Sequence, residues 1–287
     1  MKFSTPLRYP GGKGRLSRYI GEIIELNGLS NGCYVEPYAG GAGIAISLLQ
    51  AEFVQTVHLN DISKPVYSFW HSVLRDTENL CRLINDTPVT IDEWFARREK
   101  FRNFEELSLL ELGFTTFFLN RTNRSGILHA GVIGGKEQTG KWKLDARFNK
   151  NDLVARIQKL AQYSGRISLS QLDTVDLIKE VLPTISKRSL VYFDPPYYVK
   201  GQGLYQNHYN HDDHEEIADL VQNRVQQHWV VSYDNVPEIC DMYSKCRQEV
   251  FSLSYSAQQH YKGSEVMVFK DDLFIPENVY ASRGAVA

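Results

Sequence analysis

The chain has 287 residues, of which 43% are hydrophobic and 23% charged, so its composition suits one large α/β domain, with or without an insertion, and excludes a disordered protein. A net charge of −2, from 32 basic and 34 acidic residues, excludes a globally basic coat for nucleic acid but allows a local basic patch. The four cysteines form no Cys-x-x-Cys pair and no apolar run nears the roughly 18 residues of a membrane span, so we expect a soluble, cytoplasmic protein without a disulfide framework or a signal peptide.

The first segment of the chain predicts a β–loop–α–β unit. A short strand at residues 34–35 runs into a glycine loop at 36–43, a helix begins at Ile44, and residues 54–59 form a second strand. Ahead of this unit, a glycine-rich loop at residues 7–13 leads into an amphipathic helix. Such a unit is the expected start of a doubly wound sheet.

The regular alternation of strands and helices stops after the second strand. Residues 62–165 are mostly helical, and they contain a region rich in glycine and asparagine at 120–145 that predicts a β-hairpin. We interpret residues 75–165 as an inserted module.

Strands resume after the insert. The predicted strands of this half are 167–169, 190–193, 229–232, 250–253 and 266–269. Helices are predicted near 213–226 and 236–243. The whole pattern predicts an α/β fold with a doubly wound, Rossmann-like sheet and a mainly helical insert that contains a β-hairpin. We expect a catalytic domain made of residues 1–74 and 166–275, followed by a loose tail at 276–287.

The most informative motif is Asp194-Pro195-Pro196-Tyr197, directly after the apolar run 189–193. This run is a buried strand that must end, because proline has no N–H to extend a ladder. A carboxylate, a carbonyl and an aromatic ring are therefore expected at the carboxyl end of a strand, where ligands bind in open α/β sheets. The set suits a planar base with an exocyclic amine, although a strand-terminating turn with a surface tyrosine has the same pattern.

The chemistry of this motif can be derived from its groups. An exocyclic adenine amine is a poor nucleophile because its lone pair is delocalised into the ring. Hydrogen bonds from the amine to Asp194 and to the Pro195 carbonyl would localise that lone pair and aim it at a sulfonium methyl group. Tyr197 would stack on the base, which must leave the duplex to be reached. A direct displacement of this kind needs no metal.

The glycine loop predicts an adenosyl ligand. Residues 35–43 have the shape strand, glycine loop, helix, and a structural turn can have the same shape. Asp61 ends the next strand about 20 residues later, the spacing expected for a carboxylate that binds ribose hydroxyls. Because the loop lacks the Gly-x-Gly-x-x-Gly fingerprint, we expect a ligand without a pyrophosphate.

Four motifs, in this order, resemble those of the Dam-type (alpha-class, D12) S-adenosylmethionine-dependent DNA adenine-N6 methyltransferases. They are Arg-Tyr-Pro-Gly-Gly-Lys at 8–13, Glu-Pro-Tyr-Ala-Gly-Gly-Ala-Gly at 36–43, Asn-Asp at 60–61 and Asp-Pro-Pro-Tyr at 194–197. The resemblance covers residues 7–270. It implies a Rossmann-like methyltransferase sheet and an enzyme that methylates N6 of a flipped-out adenine in double-stranded DNA.

The resemblance also implies a set of cofactor-binding residues for S-adenosyl-L-methionine. Tyr9 should pack on the cofactor, Lys13 should reach its carboxylate end or the catalytic aspartate, and Asp61 should hold the ribose hydroxyls. Asp173 resembles the acidic residue near the cofactor adenine, but a helix N-cap explains Asp173 equally well, and Asp176 is a rival. The full set is Tyr9, Lys13, Glu36, Pro37, Tyr38, Gly40, Gly43, Asp61, Asp173 and Asp194.

Within the insert, residues 117–128 resemble the family's DNA-recognition hairpin. Asparagine and serine suit hydrogen bonds to base edges, and arginine suits guanine edges or phosphates, whereas an ordinary polar loop has a similar composition. The lysines that follow suit backbone phosphates or a solvated basic face. The expected DNA-binding residues are Asn120, Arg121, Asn123, Arg124, Ser125, Lys141 and Lys143.

The resemblance sets the expected partners and setting. Double-stranded DNA is the expected partner, with or without a companion restriction endonuclease, in the cytoplasm of a bacterial or phage-infected cell. We expect a monomer.

Three histidines, at 208, 211 and 214, lie among acidic residues, which raises the question of a metal. Their spacing matches no common zinc pattern. The simpler interpretation is that the acidic residues Asp212 and Asp213 complement the first turn of a helix. We therefore expect no metal.

Alternative functions differ at a few residues. Glutamine-modifying enzymes typically place Asn before Pro-Pro-Tyr and lack the insert, and cytosine-N4 enzymes usually carry Ser there. A methyltransferase acting on RNA adenine also remains open. A DNA-binding regulator with a decayed cofactor site is a different class, and the intact Lys13, Asp61 and Asp194 argue against it.

Overall fold

A computed structural model describes the following residues: 5–8, 13–199, 209–254 and 262–276. Two residues singled out above, Tyr9 and His208, lie outside the described residues. The expected tail also lies outside them, apart from Pro276.

The strands are β1 (Cys33–Glu36), β2 (Thr56–Asn60), β3 (Ile167–Ser170), β4 (Leu190–Phe193), β5 (His228–Asp234), β6 (Arg247–Ser254) and β7 (Lys262–Phe269). The helices are α1 (Ser17–Leu26), α2 (Gly43–Gln50), α3 (Lys64–Arg75), α4 (Thr77–Asp86), α5 (Ile91–Arg102), α6 (Leu109–Thr122), α7 (Lys150–Ala161), the short α8 (Thr174–Asp176), α9 (His211–Asn223) and α10 (Pro237–Met242).

The strands of the described chain form one seven-stranded sheet in the order β3-β2-β1-β4-β5-β7-β6. The first five strands of this order are parallel, and β7 pairs antiparallel with both β5 and β6. The chain leaves β1 towards β3 and returns to β4 on the other side of β1, so the order reverses between β1 and β4. The predicted doubly wound sheet is confirmed, and this reversal is where such sheets bind ligands.

Both faces of the sheet are buried, as a parallel sheet requires. In β4, Leu190 and Tyr192 pack into the apolar cluster with α1, α2 and the helices of the insert, whereas Val191 and Phe193 pack with α9 and α10. Every residue of β4 is buried, which explains why its sequence is continuously apolar rather than alternating. The core on the first face runs without a break from the sheet into α4, α6 and α7.

Four of the longer helices in the described part of the chain begin at side chains that cap them. Thr90, Ser108 and Asn149 each accept a hydrogen bond from a backbone N–H in the first turn of α5, α6 and α7. Asn210 and Asp213 form a reciprocal capping box at the start of α9. The acidic residues beside the histidines therefore begin a helix, as the simpler interpretation predicted.

The hairpin expected at 120–145 is corrected by the structure. Helix α6 continues through Thr122, and a single antiparallel bridge, Asn123 to Val132, replaces the two paired strands. The reason is burial: α6 is enclosed from Leu112 to Thr122. A buried helix pairs its backbone groups internally, whereas a two-stranded hairpin leaves the N–H and C=O groups on its outer edges unpaired. The glycines of this region instead supply turns, with positive φ at Gly126, Gly134 and Gly135.

Within the described ranges, no helix is both long enough and apolar enough to cross a membrane.

Candidate active site

The carboxyl ends of the parallel strands place the predicted motifs side by side. The glycine loop follows β1, Asp61 follows β2, Asp173 lies beyond β3, and Asp194 follows β4. Because parallel strands end at one edge of the sheet, the glycine loop at 36–43 and Asp194, about 150 residues apart in the sequence, meet there.

The glycine loop after β1 is held by its neighbours through backbone and side-chain hydrogen bonds. The Ala39 N–H donates to the carbonyl of Asn60 at 2.8 Å, and the Gly40 N–H donates to Asp61 Oδ2 at 2.8 Å. From α3, the indole of Trp70 donates to the Gly40 carbonyl at 2.9 Å. Gly40 and Ala42 have φ of 46° and 48°, a left-handed conformation that glycine adopts freely and alanine only under strain.

Asn60 joins three strand ends. Its Nδ2 donates to the carbonyls of Pro37 and Leu172, each at 3.0 Å, and its Oδ1 accepts from the Ser170 hydroxyl at 2.7 Å and from the Leu172 N–H at 3.0 Å. The side chain is fully buried. All of its amide hydrogen-bonding capacity is used, so its role in the site is to fix the loops after β1 and β3.

Two carboxyl groups next to the loop have raised pKa values. Burial raises the pKa of Glu36 to about 8, against the opposing hydrogen bonds that its Oε1 accepts from the Ala45 N–H at 3.0 Å and the Tyr34 hydroxyl at 3.2 Å. Burial likewise raises the pKa of Asp61 to about 6, although Gly40 and Ser63 donate to it. Both groups are therefore held in a site of low polarity.

We expect Glu36 to make stability depend on pH. Its folded pKa of about 8 lies above the ordinary 4.5, so between these values the folded state keeps a proton that the unfolded state loses. The free energy of unfolding should then fall as pH rises through this window, by at most about 1.4 kcal/mol per pH unit. In Glu36→Gln, which keeps an acceptor, this fall should be absent. Urea unfolding at several pH values measures it, with the exposed Glu137→Gln as the control; parallel curves for wild type and Glu36→Gln would contradict the expectation.

Asp173 occupies a helix N-cap. Its Oδ1 accepts from the Val175 N–H at 2.8 Å at the start of α8. The N-cap alternative is therefore confirmed, and Asp173 still lies at the carboxyl edge, near Tyr209. Tyr38, from the glycine loop, shares a hydrogen bond of 3.1 Å with the Tyr209 hydroxyl. Asp173, Tyr38 and Tyr209 therefore lie together beside the carboxyl ends of β1 and β3.

Lys13 lies at the centre of the site and bonds to Asp194. Its Nζ donates to Asp194 Oδ1 at 2.6 Å and to Ser232 Oγ at 2.7 Å, and it lies 3.2 Å from Glu265 Oε2. The Lys13 side chain is 1% exposed and that of Asp194 is 31% exposed. Of the two partners expected for Lys13, the structure thus shows Asp194.

Lys13 and its two carboxylate neighbours, Asp194 and Glu265, lie close enough for their charges to interact. Burial lowers the pKa of Lys13, but the neighbouring Asp194 and Glu265 carboxylates outweigh it and raise the pKa above its ordinary value. Burial raises the pKa of Glu265, and the ammonium of Lys13 opposes that rise. Lys13 is consequently a permanent cation in the folded protein.

Tyr197 is anchored at both its ring and its hydroxyl. The hydroxyl donates to Glu265 Oε1 at 2.6 Å, and the ring centroid lies 5.4 Å from Lys13 Nζ. The residue is 9% exposed, so the surface tyrosine of the simple turn interpretation is excluded. Because the hydroxyl has a buried carboxylate partner, Tyr197→Phe removes a structural hydrogen bond as well as a phenol.

The turn after the motif is held by β5. Asp234, at the end of that strand, accepts from the backbone N–H groups of Tyr198 at 2.9 Å and of Val199 at 3.0 Å. Asp234 is buried. The two prolines restrict the direction in which the chain leaves β4. Asp234 then fixes the turn by binding the two backbone N–H groups that follow Tyr197.

From the sequence, residues 232–235 are expected to end a strand, where they either form a wall of the base pocket or make a plain strand-to-helix turn. The sequence assigns Glu265 no role beyond a turn before the last strand. Ser232 and Asp234 are separated by two, so they lie on one face of β5, and a search for polar residues at a strand's carboxyl end would have found them. Glu265 lies in β7, which runs antiparallel, and its approach to Lys13 depends on that pairing.

Two of the expected DNA-binding residues have structural partners instead. Asn120 accepts from the Arg8 N–H at 2.8 Å and donates to the Arg8 carbonyl at 2.6 Å. Asn123 accepts from the Trp94 indole at 2.7 Å and donates to two backbone carbonyls, of residues 127 and 128. Both are buried, and their hydrogen bonds hold together the turn at the end of α6.

The remaining expected DNA-binding residues divide by exposure. Arg124 and Ser125 are exposed on the turn after α6, where Ser125 has a φ of 56°. Lys141 and Lys143 are exposed on either side of Trp142, itself 66% exposed. Arg121 is buried. Only four of the seven expected residues are thus presented to a ligand on the surface.

The histidines make local contacts. His211 shares hydrogen bonds with the Tyr198 hydroxyl at 2.9 Å and with Glu215 at 3.1 Å, and the buried His214 shares one with the Tyr233 hydroxyl at 2.9 Å. In the part of the chain that the structure describes, no group of three metal-ligating side chains is found.

The residues at this edge suit an adenosyl ligand. Each Asp61 carboxylate oxygen accepts one backbone N–H, from Gly40 and from Ser63, which leaves each oxygen a lone pair for a hydroxyl donor. Gly43 packs on Gly14, where an added Cβ would lie 3.4 Å from the Gly14 Cα, so the loop and the segment that follows Lys13 lie in close contact.

Comparison with known proteins identifies the family. The family model described as D12 class N6 adenine-specific DNA methyltransferase matches residues 9–261. The chain is 25% identical over 210 residues to the Type II methyltransferase M.MjaIII of Methanocaldococcus jannaschii, covering 69% of this chain and 70% of that protein.

Two solved structures are distantly similar. The methyltransferase domain of bacterial-CtHen1-CN has 10% identity and a TM-score of 0.37 and covers 89% of this chain and 98% of its own. The rRNA methyltransferase aviRa from Streptomyces viridochromogenes has 12% identity and a TM-score of 0.37 and covers 87% and 83%. The strand order described above, rather than these similarities, defines the fold. Since the family match spans the glycine loop, the insert and the Asp-Pro-Pro-Tyr strand end, this chain belongs to the D12 class of N6 adenine-specific DNA methyltransferases.

Proposed function

We propose that this protein transfers a methyl group from S-adenosyl-L-methionine to N6 of an adenine that is flipped out of double-stranded DNA. One observation carries the proposal: Asp194 directly follows β4 with its Oδ1 bound by Lys13 and Ser232, while its side chain is 31% exposed. An oriented, partly exposed carboxylate next to a proline carbonyl is the acceptor pair that an exocyclic amine requires.

Each oxygen of Asp194 has a different part in this reaction. The hydrogen bonds from Lys13 and Ser232 both go to Oδ1, and they fix the orientation of the carboxylate. Oδ2 then accepts one N6 hydrogen, and the Pro195 carbonyl accepts the other. These two bonds direct the nitrogen lone pair out of the plane of the base.

The cofactor would be held on the β1–β3 side of the edge. Asp61 would bind the ribose hydroxyls, Asp173 and Tyr38 would lie at the adenine end, and the glycine loop would admit the ligand closely. When bound, S-adenosyl-L-methionine supplies an electrophilic methyl group with a neutral thioether as its leaving group.

Tyr197 would stack on the flipped adenine. Its ring is held by Glu265 and Lys13 before any base arrives, so stacking costs little side-chain entropy. Stacking on an aromatic ring contributes roughly 1–3 kcal/mol per base. A duplex with 2-aminopurine at the target should therefore brighten on binding, even without methyl transfer.

Product analysis tests the proposal directly. The protein is incubated with tritiated S-adenosyl-L-methionine and plasmid DNA, and the nucleosides of the digest are separated by chromatography. We expect label in N6-methyldeoxyadenosine alone, with Asp194→Ala as the inactive control. Label in N4-methylcytosine, in RNA or in protein would contradict the proposal, and so would flat 2-aminopurine fluorescence in a complex that methylates the matching adenine duplex.

We expect the exposed turn after α6 to read the sequence of the DNA. Arg124→Ala or Ser125→Ala should relax specificity at one base position, at a cost of roughly 1–3 kcal/mol. Lys141→Ala and Lys143→Ala should instead weaken binding to all sequences evenly. Sequencing the methylated sites of a random library after reaction with each variant separates these effects; an unchanged site profile for both turn variants would show that the reader lies elsewhere.

Asn123, which is buried in the same turn, serves as a contrast to the exposed Arg124 and Ser125. Asn123→Ala breaks hydrogen bonds within the turn, to Trp94 and to two carbonyls, so it should lower stability rather than change one base preference.

We propose that the protein acts on DNA as a monomer, with any companion endonuclease acting separately at the same site.

A further inference from the structure

In the described part of the chain, the Ser232 hydroxyl takes part in three hydrogen bonds. Its oxygen accepts from Lys13 Nζ at 2.7 Å and from the Tyr192 hydroxyl at 2.9 Å. Its hydrogen is donated to Asp194 Oδ1 at 3.0 Å. Because a hydroxyl group has one hydrogen and two lone pairs, these bonds use its whole capacity.

The direction of each bond follows from the chemistry of the two donors. The ammonium group of Lys13 has no lone pair and can only donate. Burial raises the pKa of Tyr192 well above its ordinary value, so the phenol keeps its hydrogen. Tyr192 is 2% exposed, and a buried donor without a partner is costly, so the phenol donates to Ser232. Both lone pairs of Ser232 are then occupied, and its hydrogen is left for Asp194.

The sheet brings these side chains to one face. Tyr192 and Asp194 are separated by two in the chain, and alternate residues of a strand point to the same side. The parallel pairing of β4 with β5 sets Tyr192 beside Val230, so two residues further along Asp194 lies beside Ser232. We call Tyr192 and Ser232 the hydroxyl pair; backbone pairing fixes their place beneath the catalytic carboxylate.

The hydroxyl pair bears on which oxygen of Asp194 meets the substrate. Oδ1 accepts from both Lys13 and Ser232, and Oδ2 is the oxygen that accepts an N6 hydrogen in the proposed reaction. Without the phenol, one lone pair of Ser232 is free and its hydrogen can turn away from Asp194. Oδ1 can then bind the amine as well, in a geometry that does not aim the nitrogen lone pair at the methyl group.

We propose that Tyr192 is a positioning residue for methyl transfer: acting through Ser232, its phenol fixes the hydrogen bonding of Asp194 so that Oδ2 faces the amine. The inference rests on the proposed function for the role of Asp194. Because Tyr192 is buried within the sheet, it touches neither the base nor the cofactor. It should therefore affect the chemical step and leave the binding of both ligands unchanged.

The test compares Tyr192→Phe with the same change in another buried tyrosine. Tyr243→Phe is the control, since Tyr243 packs with α9 and α10 on the opposite face, and its hydroxyl has no hydrogen-bond partner among the described residues. Transfer of the tritiated methyl group is followed in single turnovers at saturating cofactor and DNA. We expect Tyr192→Phe to react roughly 2- to 12-fold more slowly, the range for one lost hydrogen bond between neutral groups. Tyr243→Phe should react at the wild-type rate.

Binding measurements separate positioning from damage to the site. Calorimetry with S-adenosyl-L-methionine and anisotropy with a fluorescein-labelled duplex should give wild-type affinities for Tyr192→Phe. A slower reaction with an equal loss of cofactor or duplex affinity would assign Tyr192 to the fold of the site and overturn the proposal. An unchanged rate of transfer would overturn it as well.

A double variant tests whether Tyr192 acts through Ser232. Ser232→Ala removes the donor to Asp194 and should slow the chemical step more than Tyr192→Phe does. Adding Tyr192→Phe to Ser232→Ala should then cause no further loss, because the phenol has no hydroxyl left to orient. If the two losses instead multiply in full, the phenol acts independently of Ser232 and the proposal is wrong.

These rates do not depend on which base is methylated. Label in cytosine rather than adenine would refute the proposed substrate alone, because the variants are compared by the rate of transfer to the base that carries the label. An adenine methyltransferase in which Tyr192→Phe reacts as fast as the wild type would refute this inference alone.

Discussion

Replacing Asp194 by alanine is expected to lower the rate of methyl transfer by at least about 10²–10³-fold, the usual effect of removing one hydrogen-bonding group aimed at a reacting centre. The structure adds a reason for the size of the effect. Lys13 and Ser232 bond to the same oxygen of Asp194, so the alanine variant loses both the acceptor for the amine and the group that orients the lysine.

Asp194→Asn makes the matched control for shape. It keeps an oxygen in the same place but carries no charge, so it should be slow yet should melt near the wild-type temperature. Tritiated-methyl incorporation under single-turnover conditions measures the chemical step for both variants. Turnover near that of the wild type in Asp194→Ala, in a protein that binds cofactor and duplex normally, would remove Asp194 from the mechanism.

Replacing Lys13 by methionine is expected to have the largest effect on stability. It leaves the Asp194 and Glu265 carboxylates facing each other around a buried space, and removing one partner of a buried ion pair typically costs about 3–5 kcal/mol. The melting temperature should fall by roughly 2–4 °C for each kcal/mol. Cofactor binding should weaken more than DNA binding, because Lys13 lies beside the glycine loop.

A second substitution distinguishes charge from packing. Glu265→Gln in the Lys13→Met background removes one of the two unpaired carboxylates and should recover part of the lost stability. Lys64→Met is the control, because Lys64 pairs with the 70%-exposed side chain of Glu105, and such pairs contribute about 0–1 kcal/mol. If Lys13→Met and Lys64→Met melt alike, the buried ion pairs of Lys13 do not stabilise the fold more than an exposed pair does.

The sequence by itself determined those parts of the site that lie next to one another along the chain. Two prolines after an apolar run place Asp194 and Tyr197 at the end of β4, because proline cannot extend a ladder. The glycine loop and the aspartate that follows β2 were predicted in the same way, from a strand, a turn and a helix in order. The fold class followed from the order of the predicted strands and helices, since adjacent β and α segments have few ways to pack. The resemblance of four motifs indicated the family.

The tertiary structure decided everything that depends on which distant segments meet. The polar run at 120–125 has the composition of a hairpin, but enclosure of α6 extends the helix and turns Asn120 and Asn123 into structural residues. Glu265 reaches Lys13 and Tyr197 only because β7 pairs antiparallel with β5. In each case the energy of a charged or polar side chain is set by burial and by its neighbours, and local composition carries no record of either.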